Sequence, residues 1–463
     1  MEHMNRLTSI GLVLLTALAA VSQQGCVSAG GAAEKRWYKG NLHTHTLVSD
    51  GQALPVEAAV LYRDAGYHFL MFSDHNRLHE QESWVNAKNK RSFNEAALRR
   101  FTQAYPGLAP SSRTEADGGV SWRLAPFDET AAQVNEPDRF LLMSGCEYSD
   151  GIEAGGNLHC NVVNMRRIDH RKKNVPNTDA GFADMYADFL RIADTNESFF
   201  VVNHPIWWFY DVDPRVMATP SWDRMRFFEV SNNPGPDGLL KRQVLADEEL
   251  MKVLYTEDGI WDYVLASRLL RGGPVLYGLG TDDTHVYDKF YARMKSGREF
   301  FRSWVCVRAE ELTEKAIVGA MRRGDFYVAN GSVPVELKDV SFKDGTLSLE
   351  VDPRPGVEYR IVFYGTKRDA DLTCPGETTF DLADLVRRLK CKKTTIPKPA
   401  GKVREVPILP KAAGVVLGEF VGTRASYRLK ADDLYVRAKV ITPNGVAWTQ
   451  PYSLVETPIG KED

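Results

Sequence analysis

The sequence is short of the features that mark several familiar protein classes. Only 6 of its 463 residues are cysteine, and no two of them form a CxxC pair, so a thiolate-held structural zinc site is not expected. A formal net charge of −3 lacks the basic excess that nucleic-acid proteins use on phosphates, so no nucleic-acid partner is expected. There is no glycine-rich loop built to cradle phosphates, no G-x-S-x-G nucleophile elbow and no internal repeat. The apolar run from Ile10 to Val21 is too short to span a bilayer, which takes about 20 residues. What remains is an ordinary globular composition, 43% hydrophobic and 26% charged, in a chain long enough for two domains.

The start of the chain has the layout of an export signal. Arg6 precedes the apolar run, small residues follow, and Gly25-Cys26 resembles the cleavage point of bacterial lipoproteins, although Gln23 stands where that signal carries a leucine-like residue. Residues 1–26 are therefore expected to be a lipoprotein-like signal peptide and 27–36 a tether, with Ser28–Ala33 flexible. The expected location is the periplasm or cell envelope, with membrane contact only through a lipid on Cys26; simple signal cleavage is the alternative. Cys374 and Cys391 lie in one segment and could pair in an oxidising compartment, whereas Cys146 and Cys160 suit apolar packing.

From Trp37 to Gly331 short apolar runs alternate with amphipathic stretches. The runs include His68–Phe72, Phe140–Met143, Leu158–Val163, Phe199–Val202, Arg226–Val230 and Pro274–Leu279. Helical patterns lie between them at Val56–Ala65, Asp179–Ala193 and Leu240–Leu270. That alternation predicts a parallel α/β architecture, barrel-like or open, over residues 37–331. A polar stretch at about 76–139, with a helix near Phe93–Tyr105 and a Gly/Ser-rich piece at Ser111–Gly119, reads as an insertion. Beyond 331, strand-like alternation at Val335–Val340, Leu347–Val351, Tyr359–Tyr364, Ala425–Leu429 and Tyr435–Ile441 predicts a small β-sandwich over 332–463. Met321–Tyr327 reads as a helix end passing into a strand.

The chemistry lies in where the 10 histidines fall. His43 and His45 form an HTH triplet, so in an extended chain both rings lie on one face; Asp50 follows shortly after. Phe72-Ser73-Asp74-His75 and Gly145-Cys146-Glu147 each follow an apolar run directly. His159 opens the run Leu158–Val163, His204 closes Phe199–Val202, and Thr281-Asp282-Asp283-Thr284-His285 closes Pro274–Leu279. A single histidine of this kind is usually a hydrogen-bonded core residue. Several strands that each release a His, Asp or Glu at one end instead describe the edge where α/β active sites assemble. Mixed His and carboxylate ligands suit Zn, Mn or Fe better than Ca.

These residues resemble the polymerase and histidinol phosphatase (PHP) family of metallohydrolases, over roughly Lys39 to His285. The resemblance implies an α/β fold with a distorted (β/α)7 barrel, here followed by the small all-β C-terminal domain. It implies two or three divalent ions (Zn, Mn or Fe). His43, His45 and Asp283 would hold the first, with Glu147 bridging to a second held also by His159 and His204. Asp50, His75 and His285 would hold a third, Asp50 standing where some members have histidine. Glu147, Asp283 and His285 are the implied catalytic residues, and Asp283 is preferred to Asp282 on its D-x-H spacing. The insertion, the lipoprotein-like start and Val446-Ala447-Trp448-Thr449-Gln450-Pro451 resemble the branch containing carbaryl hydrolase. Two ions sharing a carboxylate can hold a water and lower its pKa, giving hydroxide for hydrolysis.

The expected activity is hydrolysis of phosphomono- or phosphodiesters, the substrate being a small molecule. Hydrolysis of carboxylic or carbamate esters is the alternative, favoured by an aromatic lip at Trp207-Trp208-Phe209-Tyr210. A non-catalytic binding lipoprotein is the third reading. Glu229, with Asn232 and Asn233, ends a run on the same edge and is open to a supporting role, to substrate contact or to a structural role. His68 and His79 read as structural or surface residues, and His170 as part of a solvated basic run.

Overall fold

The computed structural model of the chain describes residues 34–86, 88, 93–152, 156–165, 176, 180–181, 184–185, 187–188, 191, 198–205, 213–232, 257–287, 303–381 and 403–454. The expected signal segment, most of the tether, the aromatic run 207–210, His170, Asn233 and Cys391 lie outside these residues. So do most of the expected helix at 179–193 and the first part of that at 240–270.

The chain opens with β1 (Arg36–Asn41), α1 (Pro55–Asp64) and β2 (Phe69–Met71). Pro55 starts α1 because its fixed φ suits a first helical turn, where its missing N–H is not needed. The helix is buried continuously from Pro55 to Tyr62, so Glu57 enters the interior with it. The interruption consists of β3 (Ser83–Asn86), α2 (Glu95–Ala104), β4 (Ser112–Thr114), β5 (Val120–Leu124) and α3 (Phe127–Val134). The Asn94 side chain accepts the Ala97 N–H and caps α2. The Gly/Ser-rich piece is not a plain loop: Ser112–Thr114 folds back on β5, and with β3 makes a three-stranded antiparallel sheet.

After β6 (Leu141–Met143), Ser144 alone separates the chain from β7 (Gly145–Ile152), which leads to β8 (Gly156–Val163) and β9 (Phe199–Val202). Then come α4 (Pro214–Met217), β10 (Phe227–Asn232), α5 (Glu257–Leu270) and β11 (Tyr277–Thr281). β1, β2 and β6 pair in parallel, as do β9, β10 and β11. β7, β8 and β9 are antiparallel, a departure from the uniformly parallel expectation. For β7 and β8 the cause is the connection at 153–155, which is far too short for the crossover that parallel pairing requires.

β12 (Ser303–Ala309), α6 (Glu314–Arg322) and β13 (Phe326–Gly331) follow. The remaining strands are β14 (Glu336–Lys343), β15 (Thr346–Asp352), β16 (Arg360–Gly365), β17 (Glu377–Asp381), β18 (Val403–Pro407), β19 (Val415–Val421), β20 (Arg424–Arg428), β21 (Arg437–Ile441) and β22 (Gly445–Thr449). The fold is mixed α/β. One sheet of nine strands runs β19-β16-β21-β22-β13-β12-β1-β2-β6, and a second of five runs β11-β10-β9-β8-β7. Among the described residues these strands do not close into a barrel ladder. Two isolated parallel bridges, Thr44 with Thr284 and His75 with Glu147, link the sheets where β1, β2 and β11 have just ended. Every residue of β2, β9 and β11 is buried, the pattern of strands covered on both faces.

The C-terminal strands are tied to α5 by a buried ion pair. Arg437 donates to Asp262 at 2.8 and 2.6 Å, and the Tyr435 hydroxyl donates to the same carboxylate at 2.7 Å. No helix among the described residues is long and apolar enough to cross a membrane.

Glu57 generates a stability prediction. Burial raises its pKa from the ordinary 4.5 to about 7 against the Leu54 N–H that its carboxylate accepts. The native state therefore holds a proton that the unfolded chain releases, and stability falls as pH rises from about 4.5 to about 7. Glu57→Gln removes that loss, and thermal denaturation at pH 8 should find the variant more stable by up to about 3 kcal/mol, with no gain at pH 4.5. An equal effect at both pH values would contradict the assignment.

Candidate metal centre

The loop after β1 carries the first donors and is pinned from beneath. Asn41 accepts the His43 N–H at 2.9 Å. Asp74, fully buried at the end of β2, accepts the Thr46 and Ser49 N–H groups at 2.8 and 3.0 Å and both of their hydroxyls at 2.8 and 2.5 Å. His79 closes the set with its Nε2 2.6 Å from Asp74. These hydrogen bonds hold the Asp74 carboxyl below the ordinary range despite its burial. Gly51 completes the turn, since a Cβ there would lie 2.3 Å from the His45 carbonyl oxygen.

Glu147 is the centre of the arrangement. It is fully buried near the start of β7, facing donors that arrive from β1, β2, β8 and β9. Its Oε2 lies 3.3 Å from His43 Nε2, 3.1 Å from His45 Nε2 and 3.0 Å from His75 Nδ1. Its Oε1 lies 3.0 Å from His159 Nδ1 and 3.4 Å from His204 Nε2, and accepts the Asn203 amide at 2.8 Å. From β11, Asp283 Oδ1 comes within 3.2 Å of both His43 Nε2 and His45 Nε2. His204 and Asp283 have φ of 25° and 48°, a left-handed backbone unusual for these residues and typical of sites where strain is retained for position. Asp282 turns the other way, accepting Asn41 at 2.7 Å, Tyr62 at 3.2 Å and the Ser303 N–H at 3.0 Å.

A more open group lies beside this one. Asp50, over half exposed, lies 3.6 Å from His45 Nδ1, 3.7 Å from His75 Nε2 and 3.4 Å from His285 Nε2. Four sets of donor atoms fall within 4.8 Å of one another: His43 with His45 and Asp283, His43 with Glu147 and His204, His75 with Glu147 and His159, and His45 with Asp50, His75 and His285. All nine residues expected from the sequence are thus brought together. His159 and His204 fall in separate sets around Glu147 rather than sharing one. His43 has one nitrogen to offer, because its Nδ1 is 2.7 Å from Glu229, so its two sets cannot both be filled.

The electrostatics are those of opposed charges out of water. Burial disfavours the imidazolium of His43, yet Asp283, Glu147 and Glu229 hold its pKa well above the usual histidine range. His45, equally buried, is raised to about 10 by Asp283 and Glu147. Burial lowers His75 to about 4, with Glu147 opposing. Glu147 and Asp283 are held well below their ordinary values by the imidazoles, against burial. The donor set also fits a metal by a direct test. His43 Nε2, His45 Nε2, Glu147 Oε2 and Asp283 Oδ1 are buried, converge, and make no hydrogen bond. Buried polar atoms aimed at one point without partners are what a bound cation satisfies.

Asp74, Asn203 and Glu229 support the cluster; the sequence placed Glu229 on the site edge with its role open, and did not mark Asp74 or Asn203 as site residues. Asp74 and Asn203 do sit beside ligand histidines in Asp74-His75 and Asn203-His204, a signal visible in hindsight. His68 and His79 are structural, as expected: His68 Nδ1 accepts the Lys39 N–H at 3.0 Å.

No family model and no curated protein matches the chain. Among solved structures, it is similar to a two-domain protein from Bacteroides vulgatus described as containing a predicted PHP-like metal-dependent phosphoesterase. Identity is 14%, with 89% of this chain and 95% of that one covered and a TM-score of 0.40. It is also similar to an amidohydrolase from Chromobacterium violaceum at 11% identity, covering 54% of this chain and 88% of that one, with a TM-score of 0.25. At these values neither likeness decides what this chain does, and the site must carry that argument.

Asp74→Ala should lower stability by about 3 kcal/mol or more, read by thermal or urea denaturation, because it leaves several buried donors without an acceptor. A variant as stable as the parent would show that the loop is held by other contacts.

Proposed function

We propose that the chain is an exported, metal-dependent hydrolase of phosphomono- or phosphodiesters, working with two or three divalent ions (Zn, Mn or Fe). The observation that carries this reading is Glu147: a single buried carboxylate, with imidazoles grouped at each of its oxygens, has the form of a bridge between two cations. The strands β1, β2, β6–β7, β8, β9, β10 and β11 are then read as a PHP-type seven-stranded barrel opened along two seams. Residues 332–463 are read as a β-rich C-terminal part, of which β16, β19, β21 and β22 continue the sheet of β1 and β2. Export rests on Arg6, the apolar run and Cys26 in the sequence.

His43, His45 and Asp283 would hold one ion, and Glu147 a second, for which His159 and His204 would turn together from their separate sets beside Glu147 Oε1. Asp50, His75 and His285, nearer the surface, would hold a third. Ions bound there would supply an activated water and would draw charge from an ester oxygen as it becomes negative. The chain's own part is to place them and manage protons. Burial of His43, His45 and Glu147 excludes bulk water from the inner pair. His285, about one-third exposed, has Nδ1 3.0 Å from the Asp283 carbonyl oxygen, which keeps the proton on Nδ1 and leaves Nε2 either to hold the third ion or, with that site empty, to exchange a proton with a substrate at the rim.

The test is to purify the protein, load it with Mn or Zn, and compare aryl phosphate esters with aryl carboxylic and carbamate esters. Faster metal-dependent turnover of a phosphate ester is expected. Faster turnover of the other esters would move the protein to the carbaryl hydrolase-like reading. Glu147→Gln and His204→Ala should each cut turnover at least about a hundredfold with the melting temperature nearly kept. Retained full activity in both would mean that the centre lies elsewhere.

A further inference from the structure

Glu229 lies on β10, the one strand of the five-stranded sheet that contributes no donor to the four sets. It is fully buried. Its Oε1 faces His43 Nδ1 at 2.7 Å and accepts the Thr281 hydroxyl at 2.6 Å. Its Oε2 accepts the His204 N–H at 2.7 Å and the Asn232 amide at 2.9 Å. A carboxylate has about four acceptor positions, and here four donors fill them. No contact is left over for substrate, so Glu229 acts on the cluster only through its neighbours.

Those neighbours are telling. His43 and His204 are donors from different strands, and Thr281 is two residues before Asp283. Asn232 also reaches Asp283 Oδ2 at 3.5 Å. One side chain therefore sets three of the cluster's corners. At His43 the consequence is chemical as well as geometric. Facing a carboxylate oxygen that accepts, Nδ1 keeps its proton in every state of the ring. Only Nε2, buried and without a hydrogen bond beside Glu147 and Asp283, is left to give up its proton and bind a cation. At His204 the bond to the backbone N–H holds a residue whose φ of 25° needs outside support.

We infer that Glu229 is the positioning residue of the centre: it fixes His43 as an Nε2 donor and locks the His204 backbone, so that both can meet ions beside Glu147. This rests on the metal-centre reading above, and the test separates the two. Glu229→Gln keeps the shape, but one end of the amide must then present N–H groups to His43 Nδ1 or to the His204 N–H. Zn affinity is measured by competition with a chromophoric chelator, with the melting temperature beside it. The Zn-loaded parent, labelled with 15N in histidine and assigned by comparison with His43→Gln, reports which His43 nitrogen keeps its proton.

The expected result is a proton on Nδ1 of His43 in the parent, with Zn affinity 10–100-fold weaker in Glu229→Gln at a similar melting temperature. A His43 that binds Zn through Nδ1 overturns the inference whether or not the variant folds. So does an affinity within threefold of the parent. A parent that takes up no Zn, Mn or Fe overturns the metal-centre reading itself, and the inference with it.

Discussion

Glu147 is a carboxylate buried among five imidazoles, those of His43, His45, His75, His159 and His204, all with a nitrogen within 3.4 Å of its oxygens. In a region without water such a group is tolerated only if positive charge sits beside it. In the protein alone, Asp283 and Glu147 favour the charged rings of His43 and His45 and raise their pKa values. Divalent cations can supply the positive charge equally well and would displace the ring protons. Glu229 and Asp74 follow from the same requirement. Each is a buried carboxylate whose oxygens are matched to donors, and each fixes a segment that delivers a histidine.

The fold meets this requirement by ending strands together. β1, β2, β9, β10 and β11 all stop at one edge, where backbone pairing gives way to the bridges Thr44–Thr284 and His75–Glu147. Where ladder hydrogen bonds cease, side chains take over the satisfaction of the backbone. Asp74 does this for Thr46 and Ser49, Asn41 for His43, and Glu229 for His204. The same residues that hold the chain at these ends therefore orient the cluster, and stability and site geometry are joined there.

Much of this was legible in the sequence because the pattern is local. An apolar run ending in His, Asp or Glu needs only a few residues to be recognised. The nine residues expected together lie together, and Asp283 rather than Asp282 faces them. Several helices and strands also fall where periodicity placed them, with α1 one residue earlier than expected. What was not legible depends on partners distant in sequence. The antiparallel pairing of β7 with β8 follows from a short connection, but an apolar run alone does not reveal strand direction. Glu229 could be marked as lying on the right edge, yet its bond to His43 spans 186 positions. The β3-β5-β4 sheet was hidden because its strands are short, and β4, Ser112–Thr114, is polar and exposed throughout. Nothing in composition announced that C-terminal strands would join the same sheet as β1 and β2.

The most direct measurement is a crystal structure of the metal-loaded protein with anomalous data collected at the Zn or Mn edge. The account predicts at least two peaks flanking Glu147, about 3.5–4 Å apart, one bound by His43 Nε2, His45 and Asp283. Peaks absent from the neighbourhood of Glu147, or confined to exposed side chains elsewhere, would contradict it.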